Sequence, residues 1–115
     1  MAIEKAASEV IDANRERFWE LAEPVLADPP GGHVLEEGTM MGSSCLRVNG
    51  DFAAMIHSKT GQLIVKLPAD RVLAEIDAGA GSAFSPNGRV FKEWLGVDAT
   101  DDATWSRLIR ESVDR

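Results

Sequence analysis

The sequence predicts an α+β fold in two layers, with helices packed on one antiparallel sheet. Apolar residues recur at helical spacing near both ends of the chain, and short alternating runs fill its middle. The pair Asn49-Gly50 separates two of these runs, and a two-residue loop of this composition is typical of a β-hairpin. The predicted order is therefore one helix, three strands, a helix, one or two strands and a last helix.

Length and composition indicate a single domain over residues 1–115. The chain has 44% hydrophobic and 27% charged residues, which is ordinary for a globular domain. Its formal charge of −7 disfavours nucleic acid as a partner, because such binding depends on neutralising phosphates. A single cysteine, Cys45, excludes an intrachain disulfide.

The N-terminal residues and the apolar runs indicate where in the cell the protein is expected. The charged N-terminal residues lack the apolar core of a secretory signal. No apolar run approaches the roughly 20 residues that span a bilayer. We therefore expect a cytoplasmic protein that does not bind membranes.

The first predicted helix covers Ser8 to Glu23. Phe18, Leu21 and Ala22 lie on one helical face. Pro24 lacks an N–H donor, so we expect the helix to end or kink near Ala22. Residues 27–33 read as a turn because of their proline and glycine content.

The middle of the chain is predicted to form an antiparallel meander. It begins with a weak strand at residues 34–37, and a hairpin follows in which Ser44–Val48 pairs with Asp51–His57. The two-residue loop would pair Val48 with Asp51 and Leu46 with Ala53. Both faces of the hairpin are then apolar, one with Leu46, Val48, Ala53 and Met55, the other with Cys45, Phe52, Ala54 and Ile56.

The next predicted strand, Gln62 to Leu67, places Leu63, Val65 and Leu67 on one side. A helix follows from Pro68, its first residue, to about Ala78, with Gly79 as the C-terminal cap. Its predicted apolar stripe consists of Val72, Leu73 and Ile76.

A turn at residues 85–88 leads to a predicted strand over Arg89–Val97. Its expected alternation puts Val90, Lys92 and Trp94 on one face and Phe91, Glu93 and Leu95 on the other. Thr100 or Asp101 should cap the last helix, whose core positions are Trp105, Leu108, Ile109 and Val113.

Residues that could carry chemistry are few. His33, His57 and Cys45 do not have the short spacing of metal ligands. The sequence neighbours of Cys45 supply no base to activate a nucleophile. The glycine-rich residues 79–88 follow a helix, whereas a phosphate-binding loop links a strand to a helix. We therefore expect no catalytic site, no metal and no cofactor.

Four cations remain as the candidate ligand-binding residues: Lys66, Arg71, Arg89 and Lys92. If they converge beside the helix start at Pro68, they could hold an anion with free backbone donors. If they scatter, the alternative is that they pair with Asp70, Glu75 and Glu93 on a solvated surface.

Three segments resemble the TfoX (Sxy) N-terminal-domain family: "GTMMGSSCLRVNGDFAAM" (38–55), "LIVKLPADRV" (63–72) and "FSPNGRVFKEW" (84–94). The resemblance covers about residues 18–113 and implies a fold similar to secretion chaperones and YjbR-like proteins. The chain departs from the family's Met-Phe-Gly at Met41, from its usual Phe at Ala53, and from its Gly-Lys at Asp51. We expect a single-domain member, to which activities of the two-domain competence regulators do not carry over.

Three functions follow as hypotheses. The first is a non-enzymatic regulatory or adaptor module that acts through protein contacts, which the resemblance and the lack of a catalytic constellation favour. The second is a binding domain for a small anion, and the third is a weak DNA-binding protein. Because both hairpin faces are apolar, we also predict a homodimer that covers part of the second face or an edge strand.

Overall fold

The computed structural model describes residues 2–98 and 101–114. In this part of the chain it has three helices and one six-stranded sheet, which confirms the α+β class. The helices are α1 (Ala2–Ala27), α2 (Ala69–Asp77) and α3 (Asp102–Val113). The strands are β1 (Leu35–Met40), β2 (Ser43–Val48), β3 (Asp51–Ile56), β4 (Leu63–Lys66), β5 (Ser82–Phe84) and β6 (Phe91–Val97).

The sheet has the strand order β1-β2-β3-β4-β6-β5, and every neighbouring pair is antiparallel. The first four strands form a meander. The chain then passes through α2 and β5 before β6 pairs with β4. As a result β1 and β5 are the two edges of the sheet.

The main core joins α1 and α3 to the sheet. Phe18 of α1 and Trp105 of α3 are fully buried, together with Leu46, Leu63 and Leu95 of the strands. The core positions predicted for the last helix are confirmed, because Leu108, Ile109 and Val113 are also buried. Asp101 caps α3 by accepting a hydrogen bond from the Thr104 N–H at 2.7 Å, whereas Thr100 lies outside the described residues.

The hairpin loop is confirmed, but its predicted register fails after two pairs. Asn49 and Gly50 have φ angles of 52° and 83°, as a type I′ loop requires, and Val48 pairs with Asp51. Leu46, however, pairs with Ala54 and not with Ala53, because a β-bulge interrupts the ladder. The extra residue reverses the alternation beyond it.

The bulge changes which side chains share a face. Met55 lies in the same cluster as Cys45, and Ala54 and Ile56 join Leu46 in the main core. The predicted faces of β3 are therefore wrong beyond Ala53. The alternation of β4 is confirmed, since its three predicted residues all lie in the main core: Leu63, Val65 and Leu67.

The helix boundaries differ from the prediction in three places, the first being the start of α1 at Ala2 and not at Ser8. Helix α1 continues through Pro24 to Ala27, because losing one backbone donor is offset by the burial of Val25 in the core, and the Asp28 N–H still donates to the Pro24 carbonyl at 3.1 Å. Pro68 is the residue before α2 and not its first helical residue. The C-cap of α2 is Ala78, and the predicted Gly79 follows it with a φ of +81°, the left-handed conformation that favours glycine just after a helix.

Two expectations about the C-terminal half are also wrong. Leu73 is 68% exposed, so the buried stripe of α2 is limited to Val72 and the half-buried Ile76. Strand β5 lies within the glycine-rich residues 79–88 and fits the predicted order, which allowed one or two strands after the middle helix. The pairing of β5 with β6 shifts its register between Ala83 and Phe84. The alternation predicted for β6 is therefore interrupted. Phe91 and Trp94 consequently pack in the same cluster.

The sheet face away from the main core carries an aromatic cluster of Phe52, Phe84, Phe91 and Trp94. The ring centroid of Trp94 lies 4.5 Å from that of Phe52 and 5.1 Å from that of Phe91. Beneath these rings, three side chains are fully buried without any described helix residue in their cluster: Cys45, Met55 and Ile64. This face therefore largely covers itself, and the homodimer stays a prediction.

Candidate functional site

A pocket of about 410 Å³ lies where β4, the start of α2 and the end of α3 meet. Lys66 ends β4 and Arg71 lies in the first turns of α2, and both side chains line this pocket. Of the four predicted site residues, the structure brings these two together. The other lining residues are Leu67, Pro68, Glu93, Glu111, Ser112 and Asp114.

Arg89 and Lys92 lie elsewhere. Arg89 is exposed just after the turn at residues 86–88, and Lys92 lines a different concavity, beside α2. The four cations therefore do not form one electropositive island. Lys66 and Arg71 are the two cations among the lining residues of the pocket.

Carboxylates partner both cations of the pocket. The Lys66 Nζ is 3.0 Å from Oδ2 of Asp51. Arg71 donates twice to Glu111, from Nε to Oε2 at 2.8 Å and from Nη2 to Oε1 at 3.0 Å. An anion entering the pocket would have to compete with these carboxylates and with those of Glu93 and Asp114, which also line it. The pocket is therefore of mixed charge.

Glu75 is the buried centre of an ion-pair network behind the pocket. Its side chain is 8% exposed, and it accepts hydrogen bonds from Arg71 Nη2 at 2.6 Å and from both terminal nitrogens of Arg107 at 2.9 Å and 3.1 Å. The hydrogen bonds from Arg107, and then those from Arg71, lower the pKa of Glu75. The hydrogen bonds that Arg71 donates to Glu111 and to Glu75 raise the pKa of Arg71. The network fastens α2 to α3.

Sequence reasoning missed Arg107 and Glu111 as members of this network. Both lie on α3, four residues apart, and so on one helical face. The spacing of four residues already indicated that the two charged side chains lie on the same side of α3. The sequence did not show which face of α2 would meet it.

The network predicts a pH-dependent contribution to stability. The pKa of Glu75 is lower in the folded protein than its ordinary value of 4.5. Its contribution is therefore fully present above that value and is lost as the pH falls through the folded pKa. We expect Glu75→Gln to lower the free energy of unfolding by about 1–2 kcal/mol at neutral pH, and by progressively less in acid.

The measurement is urea unfolding of the wild type and of Glu75→Gln at a series of pH values down to about 3. Glu93→Gln is the matched control, because Glu93 is an exposed carboxylate at the same pocket. A difference between wild type and Glu75→Gln that stays constant over the whole pH series would contradict the prediction.

A second concavity, which we call the α2/β6 groove, lies between α2 and the β5–β6 end of the sheet. It has a volume of about 300 Å³. Two of the large apolar side chains that the protein exposes line it: Leu73 is 68% exposed and Val90 is 55% exposed. The remaining lining residues are Ala69, Val72, Ile76, Ala83, Phe91 and Lys92.

Among the described residues, the cysteine and the histidines do not assemble a site. Burial raises the pKa of the Cys45 thiol, which keeps it in the unreactive protonated form. Burial also lowers the pKa of His57. Within residues 2–98 and 101–114, no three histidine, cysteine or acidic side chains are grouped to hold a metal ion. In the same ranges, no helix combines the length and apolar character needed to cross a bilayer.

Comparisons of the chain with protein-family models, with curated proteins and with solved structures gave no match. The resemblance to TfoX N-terminal domains accordingly stays a prediction, based on the three sequence segments given above.

Proposed function

We propose that this protein is a non-enzymatic regulatory or adaptor module, cytoplasmic in location, that acts through protein contacts at the α2/β6 groove. The observation that carries the proposal is the exposure of Leu73 and Val90 in one concavity. Water contact with side chains of this size is unfavourable by roughly 25 cal/mol for each Å² of apolar surface. A partner surface that covers the groove removes that contact.

The lining of the groove favours a protein partner over a substrate. Seven of its eight residues are apolar, and Lys92 is the one charged side chain among them. None of the eight is an acid or a hydroxyl or thiol nucleophile, so Lys92 has no partner there for acid–base chemistry. An apolar concavity with a single charged side chain in its lining is typical of a contact surface.

The two other hypotheses have less support. A small anion at the Lys66–Arg71 pocket would compete with carboxylates that already hold both cations. DNA binding is opposed by the net charge of −7, and Lys66 and Arg71 already have carboxylate partners. The resemblance to the TfoX family agrees with a regulatory role.

The test is site-specific photo-cross-linking in the cells that make the protein. A photoreactive residue in place of Leu73 should give discrete cross-links to protein, either to this chain or to another. The control is the same residue in place of Val10, a 55% exposed apolar position on α1. Absence of protein cross-links at position 73, or the same pattern at both positions, would count against the proposal.

Leu73→Asp provides the second arm of this test. It places a charge in the apolar lining, so the amount of protein that co-purifies through the groove should fall at least about tenfold. Val10→Asp should leave that amount unchanged.

A further inference from the structure

The two sides of the α2/β6 groove carry opposite charges. On α2, Asp70 and Asp77 lie three residues before and four residues after Leu73, which places both beside it on the helix surface. On the other side, Lys92 lines the groove, and Arg89 precedes Val90.

All four of these side chains are exposed. Within residues 2–98 and 101–114, none of them takes part in an ion pair. The groove therefore has one acidic rim and one basic rim, and neither is neutralised by the protein's own surface.

This polarity selects the kind of surface that fits. A uniformly acidic partner would be repelled by the α2 rim, and a uniformly basic one by the β6 rim. A matching surface needs apolar residues between two rims of opposite sign in the reverse order. A second copy of this chain, rotated by a two-fold axis, presents that arrangement, because isologous contacts require a self-complementary patch.

The apolar content of the groove agrees with this symmetry. Each copy contributes Leu73 from α2 and Val90 from the segment before β6, so a two-fold contact brings four such side chains together. Homodimer interfaces are more apolar than other protein surfaces. The groove also adjoins the β5 edge of the sheet, since Ala83 lines it and Ser82 is exposed. The contact can therefore extend along that edge.

We infer that the occupant of the α2/β6 groove is a second copy of this chain, held in a two-fold dimer with the acidic rim of each copy facing the basic rim of the other. The inference rests on the proposed function, because it names the partner at the same groove.

Sedimentation velocity of the purified full chain tests it, from about 1 μM to about 1 mM. The wild type should form dimers, and Leu73→Asp or Val90→Asp should weaken dimerisation at least about thirtyfold. The matched controls are Val10→Asp on α1 and Val34→Asp, which replace residues 55% and 64% exposed elsewhere on the surface. They should dimerise like the wild type.

A charge exchange tests the rim pairing itself. Asp70→Lys with Asp77→Lys makes both rims basic, and Arg89→Glu with Lys92→Glu makes both rims acidic. Each double variant should be monomeric where the wild type is dimeric. An equimolar mixture of the two should form a heterodimer, because every rim then meets one of opposite sign. Circular dichroism checks that both variants are folded.

Three results would overturn the inference: a monomeric wild type throughout the range, equal loss of dimer in the Val10→Asp and Val34→Asp controls, or no heterodimer from the folded charge-exchange pair. A monomer whose residue 73 still cross-links to a different protein would reject the dimer and leave the proposed function standing. A monomer with no cross-link at that position would reject both.

Discussion

Replacing Trp105 with alanine is expected to lower the free energy of unfolding by about 3–5 kcal/mol. The indole is fully buried among α1, α3 and the sheet. Its Nε1–H donates to the Asp98 carbonyl at 2.9 Å, and the Arg17 guanidinium lies 4.2 Å from its ring centroid. Alanine leaves a cavity and removes both contacts. Domains of this size have a total stability of about 5–15 kcal/mol, so a large part of it should be lost.

Urea unfolding followed by far-ultraviolet circular dichroism measures the effect without depending on tryptophan fluorescence. Trp105→Phe keeps most of the apolar volume and should be less harmful, since it loses mainly the hydrogen bond to Asp98. The matched control is Trp19→Ala, because Trp19 is only partly buried at the margin of the same core. Equal losses for Trp105→Ala and Trp19→Ala would show that Trp105 does not have the central place assigned to it.

Gly81→Ala is expected to lower the free energy of unfolding by about 2–3 kcal/mol. A Cβ at this position would lie 2.6 Å from the backbone oxygen of Gly96 and 2.9 Å from two side-chain carbons of Leu95. The clash with the backbone oxygen can be relieved only by moving β5 away from β6. Ala83 would move with β5, so the α2/β6 groove should lose one wall.

Gly96→Ala is the matched control, because Gly96 pairs with Ser82 on the other side of the same contact. The nearest atom to its new Cβ would be the Gln62 Oε1 at 3.4 Å, and neither glycine has a positive φ. We expect less than about 1 kcal/mol for this change. Amide hydrogen exchange should quicken in β5 for Gly81→Ala only. Equal effects of the two substitutions would show that close packing at Gly81 is unimportant.

The features predicted correctly from sequence are those that depend on neighbouring residues. The loop at Asn49-Gly50 follows from the ease with which these two residues take positive φ angles. The left-handed conformation of Gly79 just after α2 has the same origin. The core face of α3 follows from helical spacing around Trp105 and Leu108. None of these needs information about distant parts of the chain.

The features that failed depend on contacts between distant segments. The bulge that pairs Leu46 with Ala54 has no local signal in the hairpin sequence. Leu73 has the spacing of a core residue, but the packing of α2 against β6 leaves it on the outside. Strand β5 is three residues long, and two of these residues, Ser82 and Ala83, are small, so only its pairing with β6 identifies it as a strand.

The candidate site shows the same division. Lys66 and Arg71 were predicted to lie together because they flank one strand-to-helix junction, and both line the pocket. Lys92 was grouped with them, but the position of β6 directs it to the other side of α2. The partners Arg107 and Glu111 come from the far end of the chain. The α2/β6 groove could not be predicted, since the helical spacing of the sequence assigns Leu73 to the core.

The insertion of β6 between β4 and β5 constrains when the protein can fold during synthesis. Strands β1 to β4 each pair with the next strand along the chain, so their ladders can form as they leave the ribosome. The β4 edge stays unpaired until Phe91–Val97 has been made, and the part of the main core that α3 covers stays open until Asp102–Val113 follows. During that interval an apolar edge of Leu63, Ile64 and Val65 is open to pairing with other chains. The nascent chain is therefore most exposed to aggregation just before its last two elements emerge.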